Sequence, residues 1–351
     1  MKIISIVGAR PQFIKVVPIV KAFQKISVQH RLIHTGQHYD YELSKIFFDE
    51  LKIPEPHYHL NIKRKPSGQT AEILSKLDKI LLQEKPDSVM VYGDTTSTLA
   101  GALAAAKLNI PVAHVEAGLR SYRIDMPEEN NRVLTDHLSR FHFCPTKTSV
   151  ENLKKENIHK AFLVGDVMLD IFKKEIGRIS PSVLKKLNLK PRTYYLLTIH
   201  RQQNADSLQR LKKILHALSA LKENVIFPVH PRTKKNLSKL KKSDFKNIRF
   251  IKPVSYSHML TLERFAKKIL TDSGGVQKEA YFLKVPCVTL RQETEWIETL
   301  RGNWNILAPI VPRQILKAIH QKPPRPPTRN VFGNGKAAEK IVRILTRELN
   351  T

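Results

Sequence analysis

Two successive cycles of short β-branched apolar runs, half of them ending in glycine, histidine or an acid, constrain this chain more than any other feature. The first cycle reads IISIVGA, HRLIHTG, DSVMVYGD, IPVAHVEAG and RFHFCPT, with helical spacing of apolar residues between runs at 14–23, 69–83 and 96–107. The second starts after AFLVGDVMLD and reads YYLLTIH, ENVIFPVHP, NIRFIKPV, KKILTDSGG and VPCVTLR, with helical segments at 206–222, 257–266 and 276–282. Apolar runs too short for helices and without polar alternation are strands buried on both faces, and the helices between them are the crossovers of a parallel sheet. The expectation is an α/β protein of two Rossmann-like halves, residues 1–165 and 166–334. PPRPPTR at 323–329 ends the second cycle, and FGNGKAAEKIVRILTREL closes the chain with a glycine-led amphipathic helix at 335–351.

Length and composition narrow the class. At 351 residues the chain is longer than most single cores, so two domains are expected. A hydrophobic fraction of 41% and a charged fraction of 26% fit a soluble globular protein, and no apolar stretch approaches the roughly 20 residues that cross a bilayer. MKIISIVGARPQ shows arginine and proline where a cleavage site needs small residues, so it reads as a first strand and the protein as cytoplasmic. Cys144 and Cys287 occur without a CxxC or a His/Cys cluster at ligand spacing, so neither a disulfide framework nor a metal site is expected.

The formal net charge is +29, and its excess lies in the second half: residues 166–351 hold 37 of the 60 Lys and Arg but 14 of the 31 Asp and Glu. The densest run, 232–252, carries Lys234, Lys235, Lys239, Lys241, Lys242, Lys246 and Arg249 with Asp244 as its one acid. Such a face attracts polyanions or anionic membrane surfaces. No RNP-type aromatic motif, helix-turn-helix signature or zinc finger accompanies it. The run reads as a solvated lysine-rich face, with no specific nucleic-acid partner.

In open parallel sheets ligands bind in the crevice at the carboxyl ends of the strands, and the informative polar residues fall at those ends. Gly8-Ala9-Arg10-Pro11 leaves the first strand, where backbone N–H groups with Arg10 and Lys15 suit phosphate oxygens. Asp272-Ser273-Gly274-Gly275 repeats the arrangement in the second half, with two glycines that admit a ligand close to the backbone. Two anion cradles with acids between them suit proton transfer on a phosphorylated substrate.

Each acid has two readings at this point. Asp94 precedes Thr95-Thr96-Ser97 and reads as a functional acid or as the cap of the next helix. Glu116 sits among apolar residues and reads as a desolvated proton carrier or as the structural partner of Arg120. Glu128 and Glu129, after Met126-Pro127, suit the acidic first turn of a helix, with Glu128 the better candidate for chemistry. His200, followed by Arg201, is placed for proton transfer or phosphate contact, and His230-Pro231-Arg232 holds the same place one strand later.

The ordered set GARPQFIK, TGQH, VYGDTTSTLAGALAA, HVEAGLRS, MPEENNR, LTDHLS, FCPT, GDVMLD, TIHR, PVHPRT, TDSGGVQKEA, PCVTLR and FGNGKA resembles the non-hydrolysing UDP-N-acetylglucosamine 2-epimerases along almost the whole chain. The resemblance implies a GT-B-like fold, two Rossmann-like domains facing a central crevice, with the C-terminal helix returning to the first domain. It implies interconversion of UDP-GlcNAc and UDP-ManNAc through 2-acetamidoglucal, without cofactor or metal, by a homodimer that supplies cell-surface polysaccharide synthesis. Asp94, Glu116 and Glu128 match the family's catalytic carboxylates and His200 its catalytic histidine. Arg10 and Lys15 match nucleotide-sugar contacts, Ser273, Gly274 and Gly275 the diphosphate cradle, and Glu279 the carboxylate for the ribose hydroxyls. His230, Arg232 and Arg291 fall in the same crevice by topology.

Two departures qualify the resemblance. After Arg291 the chain reads Gln-Glu-Thr-Glu295-Trp296-Ile297-Glu298, more like relatives that epimerise UDP-2,3-diacetamido-2,3-dideoxyglucuronate, so a modified sugar is the alternative substrate. Tyr39 and Asp40 after Gln37-His38, with Lys65-Pro66-Ser67 further on, replace residues that some members use to bind an activating second UDP-GlcNAc, so that regulation is expected to be weak or absent. The other function classes that fit are a GT-B glycosyltransferase, which requires an acceptor, and a polyanion-binding protein, which requires steep salt dependence.

Overall fold

The computed structural model describes residues 1–36, 51, 53–62, 66–322 and 330–351, and of residues 10, 66 and 67 the backbone alone. The departures at 37–40 and 65 and the proline-rich stretch 323–329 lie outside the described residues. The chain divides into two compact units, one of Met1–Lys174 with Val331–Thr351 and the other of Glu175–Asn330.

In the first unit, strands β1 (Lys2–Val7), β2 (Gln29–His34), β3 (Tyr58–His59), β4 (Ser88–Tyr92), β5 (Val112–Val115), β6 (Phe141–Cys144) and β7 (Ala161–Leu163) form one parallel sheet in the order β3-β2-β1-β4-β5-β6-β7. Ile4, Ile6, Ile33, Val89 and Val91 face one side, where Ile73, Leu77 and Leu81 of helix Pro66–Glu84 and the alanines of helix Thr96–Lys107 cover them. The small side chains of TLAGALAAA let that helix lie close over the sheet, because each removed methylene shortens the approach.

The second unit repeats the architecture. Strands β8 (Tyr194–Thr198), β9 (Asn224–Pro228), β10 (Ile248–Ile251), β11 (Lys268–Thr271), β12 (Cys287–Thr289) and β13 (Asn305–Leu307) pair in parallel in the order β10-β9-β8-β11-β12-β13. The run YYLLTI divides by strand period: Tyr195, Leu197 and Ile199 pack under helices Leu208–Ser219 and Pro312–His320, while Tyr194 and Leu196 pack against Leu262, Val276 and Ala280. The densest basic run surrounds the edge strand β10, where Arg249 and Lys252 stand exposed. Charge on an unpaired edge discourages strand addition from another chain.

Strand order reverses between β1 and β4 in one sheet and between β8 and β11 in the other. Switch points of this kind leave a crevice beyond the carboxyl ends of those strands. Helix Ala337–Asn350 belongs to the first unit, buries Ile341, Val342 and Leu345, and has its N-terminus capped by Asp170, whose carboxylate accepts from Ala337 N at 3.0 Å and Ala338 N at 2.8 Å. Among the described residues no helix is long and apolar enough to cross a membrane.

Candidate active site

At the first switch point the turn after β1 is closed from within. Gln12 Oε1 accepts from Gly8 N at 2.8 Å and Ala9 N at 2.9 Å, while its amide donates to Tyr92 O and Thr98 Oγ1, each at 3.0 Å. Gln12, one turn into helix Arg10–Phe23, thus holds the Gly8 and Ala9 N–H groups of the turn that the sequence offered to a phosphate. Arg10 begins that helix, and its side chain lies outside the described residues.

Lys15, from the next turn of the same helix, reaches Glu116 Oε1 at 2.5 Å. Arg120, the partner considered from sequence, instead grips Glu156 in two-pronged fashion at 2.7 and 2.6 Å and reaches Asp136 at 2.6 Å. Glu116 adopts φ +73°, a left-handed conformation unusual for glutamate. It is imposed by Phe143 O of the neighbouring strand, which accepts from both Glu116 N and Ala117 N. Strain of this kind persists where surrounding structure overdetermines it, and it clusters at functional sites. Gly93, at φ +65°, leaves room for the pair: a Cβ there would stand 2.8 Å from Lys15 Nζ.

Asp94 follows Gly93 and is not the helix cap. Thr95 caps Thr96–Lys107, and Asp94 Oδ2 accepts from Arg132 Nη2 at 2.5 Å. Glu128 and Glu129 begin helix Pro127–Leu138 and diverge in role. Glu129 is buried and accepts from Ser121 N, Ser121 Oγ and Tyr122 N, which fixes the preceding loop, whereas the half-buried Glu128 makes no hydrogen bond or ion pair with the described residues. Asp136, on the same helix, is fully buried among His114, Arg120 and Gly118 N. Burial pushes its carboxyl up, but His114 and Arg120 outweigh that and hold it below the usual carboxylate range.

At the second switch point His200 lies just past β8, with its main-chain N–H donated to Asp272 Oδ1 at 3.1 Å. Asp272 also accepts from Arg201 N and Asn204 Nδ2, so one buried carboxylate shapes the turn that carries His200. Ser273 caps helix Gly274–Leu283 through its Oγ, and the N–H groups of Gly274 and Gly275 make no hydrogen bond with the described residues. Two open donors at a helix N-terminus form an anion-binding end.

That end is enclosed by the segment after β12. Arg201 and Arg291 converge on Glu295, at 3.1 and 2.9 Å. Trp296 is buried, with Lys278 Nζ 3.7 Å from its ring centroid. A Cβ on Gly274 would meet Glu295 Oε1 at 2.7 Å and Trp296 Nε1 at 3.1 Å. The Thr-Glu-Trp departure therefore lies against the glycine turn. Glu279, one helix turn along, is buried beside Glu263; burial and Glu279 push the Glu263 carboxyl well above its usual range.

His230 is a structural cap: its Nδ1 accepts from Arg232 N at 3.2 Å at the start of helix Pro231–Leu237. Its ring centroid is 5.6 Å from that of His200. Arg232 pairs with Asp206 through two 3.0 Å bonds near the surface. Among the described residues no group of three or more His, Cys, Asp or Glu is placed to hold a metal ion.

Gln12, His114, Arg132 and Asp136 were not singled out from sequence. The available signal was burial without an evident partner: a histidine inside the apolar run IPVAHV, and an aspartate on the inward face of a helix.

Residues 21–346 match the family model described as UDP-N-acetylglucosamine 2-epimerase. A UDP-N-acetylglucosamine 2-epimerase homolog of Methanococcus maripaludis is 53% identical, over 98% of this chain and 99% of that protein. The UDP-2,3-diacetamido-2,3-dideoxy-D-glucuronate 2-epimerase of Pseudomonas aeruginosa is 41% identical, over 99% of this chain and 100% of that protein. The crystal structure of Methanocaldococcus jannaschii UDP-GlcNAc 2-epimerase in complex with UDP-GlcNAc and UDP is similar at a TM-score of 0.91 and 45% identity, over 99% of this chain and 100% of that one. With a GT-B-like α/β architecture and likeness along its whole length, the chain belongs to the UDP-N-acetylglucosamine 2-epimerase family.

Proposed function

We propose that the protein is a non-hydrolysing 2-epimerase that interconverts UDP-GlcNAc and UDP-ManNAc. The observation that carries this reading is Glu116, a buried carboxylate held at φ +73° and pinned by Lys15 at the carboxyl end of a parallel strand. A C2 proton with no adjacent carbonyl becomes removable only as the C1–O bond to UDP breaks. One group takes that proton while the bond's electron pair leaves with UDP, giving 2-acetamidoglucal. Return of a proton to the opposite face of C2, with UDP re-adding at C1, yields the epimer.

Asp94, Glu116 and Glu128 supply the carboxylates for these transfers and His200 an imidazole. The Gly274 and Gly275 N–H groups, with Ser273 and Arg291, hold the diphosphate as its charge grows on leaving, and Glu279 takes the ribose hydroxyls. Lys15 fixes Glu116 rather than a phosphate oxygen, in keeping with its 2.5 Å bond. The reading includes no metal or cofactor, a homodimer, a cytoplasmic location and supply of amino sugars for cell-surface polysaccharide.

A second substrate, UDP-2,3-diacetamido-2,3-dideoxyglucuronate, is favoured by the Thr-Glu-Trp segment and by the 41% identical relative that carries this name. Offering both nucleotide sugars to the purified protein separates the two. With the preferred sugar, Glu116→Gln is expected to lower kcat by about 10³-fold while UDP still binds. Undiminished turnover in that variant overturns the assignment. Conversion without an acceptor also counts against a glycosyltransferase.

A further inference from the structure

The three carboxylates assigned to proton transfer sit on three separate segments: the turn after β4, the turn after β5, and helix Pro127–Leu138. One fully buried pair, His114 and Asp136, touches all three. His114 Nε2 lies 2.7 Å from Gly93 O, one residue before Asp94. Its Nδ1 lies 2.6 Å from Asp136 Oδ1. Asp136 Oδ2 accepts from Gly118 N at 3.1 Å, two residues past Glu116, and from Arg120 Nη1 at 2.6 Å. Asp136 itself lies two turns past Glu128 on helix Pro127–Leu138.

We propose that His114 and Asp136 are positioning residues for the reaction: a buried hydrogen-bonded pair that sets the relative placement of the Asp94, Glu116 and Glu128 segments. This rests on the assignment of those three acids. Hydrogen-bond counting places two protons on the pair. Gly93 O only accepts, so Nε2 carries a proton. Asp136 Oδ2 accepts from Arg120 and Gly118 N, so the second proton of the pair lies between Asp136 Oδ1 and His114 Nδ1.

The surrounding charges balance the pair. Arg120 is shared with Glu156, the exposed His137 lies against Glu156, and Cys144 next to Asp136 is a thiol whose ionisation burial and Asp136 both oppose. His142 Nε2 bonds the Asp136 main-chain carbonyl and its Nδ1 bonds Lys160 O. An apolar side chain of similar volume would fill the same space, yet it would lack the two opposed hydrogen bonds that tie the Gly93 turn to the helix.

Nitrogen-15 NMR of the histidine rings in the wild-type protein tests this bonding irrespective of any activity. Both His114 ring nitrogens are expected to show the signature of hydrogen-bonded atoms, and a free Nδ1 overturns the proposal. In His114→Gln and Asp136→Asn, kcat for C2 epimerisation is expected to fall about 100-fold, with the UDP dissociation constant changed by less than about twofold. Unchanged kcat in both variants, or equal losses of kcat and UDP affinity, overturns the positioning role. If Glu116→Gln retains full activity while the NMR signature holds, the catalytic assignment has failed and the pair stands as a structural element.

Discussion

Lys15 Nζ and Glu116 Oε1 are 2.5 Å apart, with side chains 8% and 6% exposed, across 101 residues of sequence. A buried ion pair contributes little net stability over an apolar one, but removing one member leaves the other charge stranded, at about 3–5 kcal/mol. Lys15→Met is therefore expected to cost about 3 kcal/mol in denaturant unfolding. Glu116→Gln keeps a polar oxygen against the ammonium and should cost less. Equal losses would mean that the pair is not what holds the turn.

The closed turn after β1 and the open glycine turn after β11 make opposite predictions. Gln12→Ala strands the Gly8 and Ala9 N–H groups, and unsatisfied buried donors cost about 1–3 kcal/mol each. Stability should fall by about 3 kcal/mol while UDP affinity, read by calorimetric titration, stays put. Gly274→Ala sets a methyl 2.7 Å from Glu295 Oε1, which two arginines hold in place, and crowds the open N–H groups. UDP affinity should fall at least about tenfold. The reverse pattern would place the nucleotide phosphates on the first turn.

How much of this was legible in the sequence depended on range. The strands from β4 to β6 and from β8 to β12 announced themselves as continuous apolar runs, because a strand buried on both faces has no polar alternation. β3, β7 and β13 span two or three residues and carry too little pattern to read. Helix starts erred by a few residues, as at Arg10–Phe23, expected from 14, since an arginine-proline start carries no apolar spacing. The acid-bearing strand ends were visible locally, but their partners were not. Nothing near Glu116 in sequence marks Lys15 rather than Arg120, and both Asp94 and Thr95 are good caps until the turn at Gly93 decides between them.

Asp170 provides a pH test of the docked C-terminal helix. Burial, against the opposing bonds from Ala338 and Ala337, lifts its carboxyl from 3.8 to about 6. A carboxyl raised on folding favours the folded state most below its unfolded pKa, and that advantage fades as pH rises through the folded value. Wild-type stability relative to Asp170→Asn should therefore decline between about pH 4 and pH 6 and be flat above. A difference that grows over that interval would contradict the raised value.

Cys144 and Cys287 should be inert in the folded protein. Burial pushes both thiols up, Cys287 to about 12, so almost no thiolate exists near neutrality. Thiol titration with a disulfide reagent at pH 8 should detect neither until denaturant is added. Rapid reaction of either in the native protein would contradict its placement.

The measurement that reaches the central claim most directly is proton NMR of the purified protein with UDP-GlcNAc in D₂O, followed to equilibrium. The account predicts UDP-ManNAc with deuterium at C2 in both epimers, since each crossing removes the C2 proton and returns one from solvent. UDP-ManNAc that keeps its original C2 hydrogen would contradict proton abstraction at that carbon, and with it the assignment of Asp94, Glu116 and Glu128.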